Sequence, residues 1–174
     1  MSLTDIKNSI RNIPDYPKAG IQFKDITTAL NNPTIFTEII DLLAAYFTDK
    51  KIDAVVGIEA RGFIFGAALA YKLGCRFVPV RKPGKLPAAT ISEEYALEYG
   101  TDKLEIHKDA LKTGDNVAIV DDLIAIGGTA QAAAKLVQKL GANITAFAFV
   151  IELTALQGRK KLENTTTVYS LIQY

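Results

Sequence analysis

Four short apolar runs punctuate the chain: Asp53-Ala-Val-Val-Gly57, Arg76-Phe-Val-Pro-Val80, Asn116-Val-Ala-Ile-Val120 and Thr145-Ala-Phe-Ala-Phe-Val-Ile151. Each is nearly continuous in apolar side chains, which predicts strands buried on both faces within a parallel sheet. Between them, Pro33 to Lys50, Gly62 to Leu73 and Thr129 to Leu140 have helical composition and spacing. Gly74 and Gly141 stand where left-handed residues close helices. The alternation predicts an α/β fold, a mostly parallel twisted sheet flanked by helices and joined by right-handed crossovers.

Two stretches break the alternation. Ile13 to Asn32 is rich in turn formers, with Pro14, Asp15, Pro17 and Gly20. Arg81 to Leu104 is long and mixed in polarity, with Pro83, Gly84, Pro87 and Gly100. A connection of that length inside a compact domain is usually functional, often as a lid. No repeat or linker divides the chain, so residues 1–174 read as a single domain, long enough for one sizeable core.

Charge and cysteine content narrow the classes. Residues are 49% hydrophobic and 22% charged, with a formal net charge of +1. Nothing there favours nucleic acid or an anionic membrane as a partner, and any anionic ligand must be held by local donors. The N-terminal stretch carries Asp5, Lys7, Arg11 and Asp15 and has no signal-peptide core. No apolar run approaches the roughly 20 residues of a membrane-spanning helix. The one cysteine, Cys75, excludes an internal disulfide and is expected to pack as a small hydrophobe. A cytoplasmic protein is expected.

The chemistry concentrates in Val117-Ala-Ile-Val-Asp-Asp-Leu-Ile-Ala-Ile-Gly-Gly-Thr129. A buried strand ends in Asp121 and Asp122, and a loop with Gly127 and Gly128 follows. Thr129 is expected to begin and cap the next helix. The carboxylates then lie at the carboxyl edge of the sheet, where open α/β folds bind ligands. Loop N–H groups and the helix N-terminus suit a phosphate. Carboxylates accept hydrogen bonds from hydroxyls but repel phosphate, so a phosphorylated sugar would satisfy both halves. The same spacing also suits a plain polar turn. Neither a P-loop nor a dinucleotide fingerprint occurs.

Val120-Asp-Asp-Leu-Ile-Ala-Ile-Gly-Gly-Thr129 resembles the phosphoribosyl pyrophosphate signature of type I phosphoribosyltransferases. Four further segments narrow the resemblance to the adenine-specific members. They are Pro14-Asp-Tyr-Pro-Lys-Ala-Gly-Ile-Gln-Phe-Lys-Asp-Ile-Thr27, Gly57-Ile-Glu-Ala-Arg-Gly-Phe-Ile-Phe-Gly66, Arg81-Lys-Pro-Gly-Lys-Leu-Pro87 and Leu97-Glu-Tyr-Gly100. The resemblance runs from about Ile13 to Tyr174. It implies transfer of a phosphoribosyl group to adenine, giving AMP and pyrophosphate, with a small hood at about residues 13–32 and a flexible lid at about 81–104.

Residue by residue, the resemblance puts the donor's ribose on Asp121 and Asp122 and its 5′-phosphate on Ala125, Ile126, Gly127, Gly128 and Thr129. Pyrophosphate would meet Glu59, Ala60 and Arg61, with Arg81, Lys82 and Lys85 bordering it. Arg61 offers the planar fork that such a leaving group needs, which makes it a catalytic candidate. Glu98 matches the family glutamate that takes the acceptor's proton. Adenine would lie between Phe23 and Leu123, with its edge read by backbone groups around Gln22 and Lys24. Mg²⁺ would arrive on the donor's oxygens, with no direct protein ligand. A homodimer is implied. His107, the single histidine, follows a predicted strand at Lys103 to Ile106 and is expected to serve packing or surface. Tyr95 and Tyr169 carry no signal of their own, while Tyr99 accompanies the lid motif.

One position departs from the family. The signature normally reads Ala-Thr-Gly-Gly-Thr, whereas this chain has Ile126 in place of the first threonine. Losing a hydroxyl donor to a charged phosphate costs roughly 1.5–3 kcal/mol. An active enzyme with weakened donor affinity is expected. Two alternatives accompany it: a phosphoribosyltransferase for another purine base, and a non-catalytic regulator that senses the donor.

Overall fold

A computed structural model of the chain describes residues 2–96 and 100–174. In chain order the elements are α1 (Leu3–Ser9), β1 (Arg11–Pro14), β2 (Gln22–Asp25), α2 (Thr27–Leu30), α3 (Pro33–Tyr46), β3 (Ala54–Ile58) and α4 (Gly62–Leu73). They continue with β4 (Arg76–Val80), β5 (Thr90–Ala96), β6 (Thr101–His107), β7 (Asn116–Ile124), α5 (Gly128–Lys139), β8 (Asn143–Glu152) and β9 (Thr167–Gln173). Two 3₁₀ turns, Thr154–Leu156 and Gly158–Lys161, bridge β8 and β9.

The four apolar runs all become strands of one parallel sheet, ordered β4-β3-β7-β8-β9. Their continuous apolar character follows from burial on both sides. On one face, Val55, Val120 and Ala148 pack with Ile39, Leu43, Phe65 and Leu69 from α3 and α4. On the other, Val56, Ile119 and Phe147 pack with Leu136 and Val137 of α5 and with Leu104 and Ile106 of β6. Fully burying each large apolar side chain contributes about 1.5–3 kcal/mol. From β3 the chain steps to β4 on one side, then crosses back to β7 on the other. The switch point therefore falls between the carboxyl ends of β3 and β7, where such sheets open a crevice.

Local signals set several boundaries. Asn32 caps α3 by accepting from the Thr34 and Ile35 N–H groups, and Pro33 supplies the first helical φ. This helix ends at Tyr46, short of the expected Lys50, because buried Phe47 turns into the core. Gly74 closes α4 at φ 67°. Strand β7 continues past its apolar run to Ile124, since its ladder with β8 persists through Asp121 and Leu123. Helix α5 is capped differently from expectation. Its N-cap is Gly127, at φ 77°, and no side chain caps it. Thr129 lies inside the helix, because the left-handed glycine turns the chain one step earlier.

Both irregular stretches contain antiparallel hairpins. Strands β1 and β2 pair beside the main sheet, with Arg11 holding Asp25 at 2.5 Å and 3.0 Å. Strands β5 and β6 pair from Thr90↔His107 to Ala96↔Thr101 within the connection that follows Arg81. Strand β9, which pairs with β8 along the sheet edge, had no sequence signal as a strand. Among the described residues, no helix is long and apolar enough to cross a membrane.

Candidate active site

The carboxyl ends of β3 and β7 and the first turn of α5 enclose a cavity of about 380 Å³. Glu59, Ala60 and Arg61 form one wall, and Asp121, Asp122 and Leu123 form another. The loop Ala125, Ile126, Gly127, Gly128 and Thr129 closes the end, with Lys82 opposite. Residues expected at the donor site, from three separate sequence segments, thus line one cavity.

Asp121 and Asp122 are neighbours on strand β7, and both line the cavity. Asp122 is only 5% exposed, and its Oδ2 accepts from Arg61 Nε at 2.5 Å. Asp121 sits under the first turn of α4, where a Cβ on Gly62 would stand 2.8 Å from its Oδ1. Only glycine allows the helix to approach β7 so closely. Burial raises the Asp121 carboxyl well above the ordinary range, and the Asp122 charge adds to that rise. The Asp122 N–H, 2.8 Å from Oδ1, works in the other direction.

Arg61 is the N-cap residue of α4 and is half-exposed. Besides holding Asp122, its guanidinium lies 5.9 Å from the centre of the Phe23 ring. One side chain therefore links the expected ribose and base sites. Phe23 also meets Tyr16 edge-on at 5.2 Å. Gln22 and Lys24 both bond to Asn12, at 2.6 and 2.9 Å, and the Lys24 ammonium lies over Tyr174 at 4.3 Å. Gln22, Phe23 and Lys24 lie outside the cavity wall, with Leu123 inside it.

The other cations arrive paired. Arg81 donates to both oxygens of Glu59, at 3.1 and 3.2 Å, and Glu59 also accepts from the Lys82 N–H at 2.9 Å. The Arg81 hydrogen bonds hold the Glu59 carboxyl below its usual range. The Glu59–Ala60 peptide bond is cis. Lys82 donates to Asp102 and, at 2.9 Å, to the Tyr95 hydroxyl. Burial favours its neutral form, but these bonds outweigh that and raise its pKa. Arg81 and Lys85 do not line the cavity; the Lys85 carbonyl accepts from Arg81 at 3.3 Å. Glu98, expected on the lid, lies outside the described residues, as do Leu97 and Tyr99.

Tyr95 and Phe149 also line the cavity. Both sit on strands, and only a known pairing register could have pointed them inward. His107 ends β6, where its Nε2 accepts from the Ala88 N–H at 3.3 Å. Among the described residues, no three His, Cys, Asp or Glu side chains group to hold a metal.

The Phosphoribosyl transferase domain family matches residues 25–173. An adenine phosphoribosyltransferase of Chloroflexus aurantiacus is 56% identical over 174 residues, covering all of both chains. The chain belongs to the adenine phosphoribosyltransferase family. A second family member, from Thermoanaerobacter sp., is 57% identical and is also fully covered. The crystal structure of the adenine phosphoribosyltransferase of Thermoanaerobacter pseudethanolicus has a TM-score of 0.96 at 56% identity, covering 99% of this chain and 100% of that one. The Saccharomyces cerevisiae adenine phosphoribosyltransferase, complexed with an imino-altritol bisphosphate and adenine, has a TM-score of 0.92 at 45% identity, covering 98% of each. The match to the family extends beyond the signature loop to the whole strand order.

The buried carboxyl yields a stability prediction. An acid whose folded pKa exceeds its unfolded value binds its proton more tightly when folded, so stability falls as pH rises past the unfolded carboxylate value of about 4. Asp121→Asn should therefore melt at a higher temperature than the parent at pH 7, with the gap closing as pH falls toward 4. Circular dichroism melts across that range measure it. A variant that melts lower at every pH would show that the ionised group is well accommodated.

Proposed function

We propose that this family member transfers the 5-phosphoribosyl group of phosphoribosyl pyrophosphate to adenine, giving AMP and pyrophosphate. The observation that carries the reading is the meeting, in one cavity, of an acidic pair with a glycine loop opening a helix. A phosphorylated sugar answers both. Its hydroxyls donate to Asp121 and Asp122, which relieves the repulsion between them. Its 5′-phosphate takes the N–H groups of Ala125 to Thr129, the last two of which open α5 and have no partner inside the helix.

The bond from the sugar carbon to the pyrophosphate oxygen breaks as the bond to a ring nitrogen of adenine forms. Positive character grows on the sugar and negative charge on the leaving group. Arg61, freed from Asp122 when ribose hydroxyls take its place, supplies donors to that leaving group along with the Ala60 segment and Lys82. Arg81 and Lys85 support this wall from outside the cavity. Phe23 and Leu123 hold the two faces of the base, and backbone groups of Gln22 and Lys24 read its edge. Glu98, on the lid at 81–104, accepts the proton that the ring nitrogen loses.

The donor set fits Mg²⁺ carried by substrate: two neighbouring carboxylates that substrate hydroxyls could meet, with no group of three His, Cys, Asp or Glu side chains to hold an ion among the described residues. The ion would neutralise the pyrophosphate's charge. A reducing compartment such as the cytoplasm is supported by the single cysteine, Cys75, which is half-buried and has no second cysteine to pair with in the chain. A homodimer is supported by an apolar stripe on the outer face of α4. Ile64 and Tyr71 stand there 41% and 89% exposed, with Ala67 between them.

Three outcomes test this. With donor and Mg²⁺, adenine alone among the bases should yield nucleotide and pyrophosphate. Chelation should abolish turnover, and Glu98→Gln should cut kcat by about 10²–10⁴. Binding without turnover, or preference for a 6-oxopurine, would refute the reading. Ile126 lines the cavity and is 41% exposed, so Ile126→Thr should lower KM for the donor about tenfold to a hundredfold. An unchanged KM would show that position 126 makes no phosphate contact. Sedimentation should give twice 18.9 kDa, and Tyr71→Glu should shift it toward one chain. A parent protein that sediments as a monomer counts against the dimer.

A further inference from the structure

The 3₁₀ turn after β8 lies directly against the loop proposed to hold the 5′-phosphate. A Cβ on Gly158 would overlap the Ala125 carbonyl oxygen and stand 2.7 Å from the Gly127 nitrogen. In the other direction, a Cβ on Gly127 would stand 2.5 Å from the Gly158 carbonyl oxygen. Two backbone segments touch with no side chain between them. Gly158 does not adopt a left-handed φ, so close approach alone explains the glycine.

The next residue fixes that turn. Arg159 grips Glu152 at the end of β8 with Nε at 2.9 Å and Nη2 at 2.5 Å. It also donates to the Val168 carbonyl at 2.5 Å and the Ser170 hydroxyl at 3.0 Å. The Ser170 hydroxyl donates to Glu152 at 2.5 Å. Glu152 is 5% exposed, and Arg159 holds its carboxyl below the usual range. The adjoining Leu153 N–H donates to the Ile124 carbonyl at 3.0 Å, which ties the end of β8 to the start of the loop. None of Glu152, Gly158, Arg159 and Ser170 lines the cavity.

We infer that Glu152 and Arg159 are positioning residues that hold Gly158 against Ala125–Gly127 and so aim the loop's N–H groups at the donor's 5′-phosphate. The part-buried fork-to-fork pair suits this task, because two parallel bonds fix orientation as well as distance. Its geometry matters more than its energy, since buried ion pairs offset much of their attraction by desolvation. The inference rests on the proposed reading of loop 125–129 as the phosphate site.

Ribose 5-phosphate is the probe, titrated calorimetrically into the full-length protein well below its melting temperature. Gly158→Ala should weaken its binding about tenfold or more, as expected when a hydrogen bond to a charged group is misaimed. KM for the donor should rise with it, while KM for adenine and kcat stay unchanged. Arg159→Lys, which keeps the charge but loses the fork, should shift the same constants less than Arg159→Met. If Gly158→Ala does not fold, Arg159→Lys decides alone, and an unchanged donor KM overturns the inference. Equal rises in both KM values would also overturn it, since they mark a general loss of structure. Thr129→Ala separates the two levels of the argument. If it weakens ribose 5-phosphate binding and Gly158→Ala does not, the positioning role falls and the phosphate loop stands. If neither variant weakens binding, the loop reading fails and the inference fails with it.

Discussion

Two carboxylates held side by side at the end of a buried strand make demands that the rest of the site answers. The Asp121–Asp122 pair is costly in a low-dielectric setting, where an ionised group needs a cation or hydrogen-bond donors. Arg61 provides the cation for Asp122, and the Asp122 N–H provides a donor for Asp121. Only a parallel sheet with a switch point beside β7 leaves a crevice there for a ligand to complete the arrangement. The glycine at the start of α4 follows from the same demand, because any side chain there would displace Asp121.

The fold was legible wherever burial is two-sided. The runs around Val55, Val78, Ile119 and Phe147 are apolar because both faces of the sheet are covered, and sequence reading needs no other information to find them. Legibility fails where structure depends on a partner distant in sequence. Strand β9 and the β5–β6 hairpin are half-buried, and their pattern acquires meaning only with the register that pairs them. The end of β7 is a sharper case. Its polar residues look like loop, yet the ladder to β8 keeps them in strand geometry.

The site divides along a similar line. The Asp pair with its glycine loop stands out by residue type and spacing, the Glu59–Arg61 segment is marked only by family resemblance, and the structure brings both to one cavity. Partnerships were not readable. Sequence alone could not show that Arg61 would reach Asp122, that Arg81 would be engaged by Glu59, or that Lys82 would turn to Asp102 and Tyr95. Nor could it show the turn at Gly158, whose role depends on a backbone contact with a loop some thirty residues away. Thr129 carries the opposite lesson. A residue well suited to capping lies inside the helix because a left-handed glycine turned the chain first.

The paired cations have a bearing on which ligands can enter. Arg61 and Lys82 in the cavity wall, and Arg81 behind it, each rest on a carboxylate of the protein, so the cations around the cavity are already compensated. An indiscriminate polyanion offers phosphates to the cations but leaves Asp122 and Asp102 stranded without partners. A ligand that brings hydroxyls as well as phosphates can replace both members of a pair together. The cavity thus works less as a positive funnel than as an exchange, in which admission depends on returning a partner to every group that gives one up.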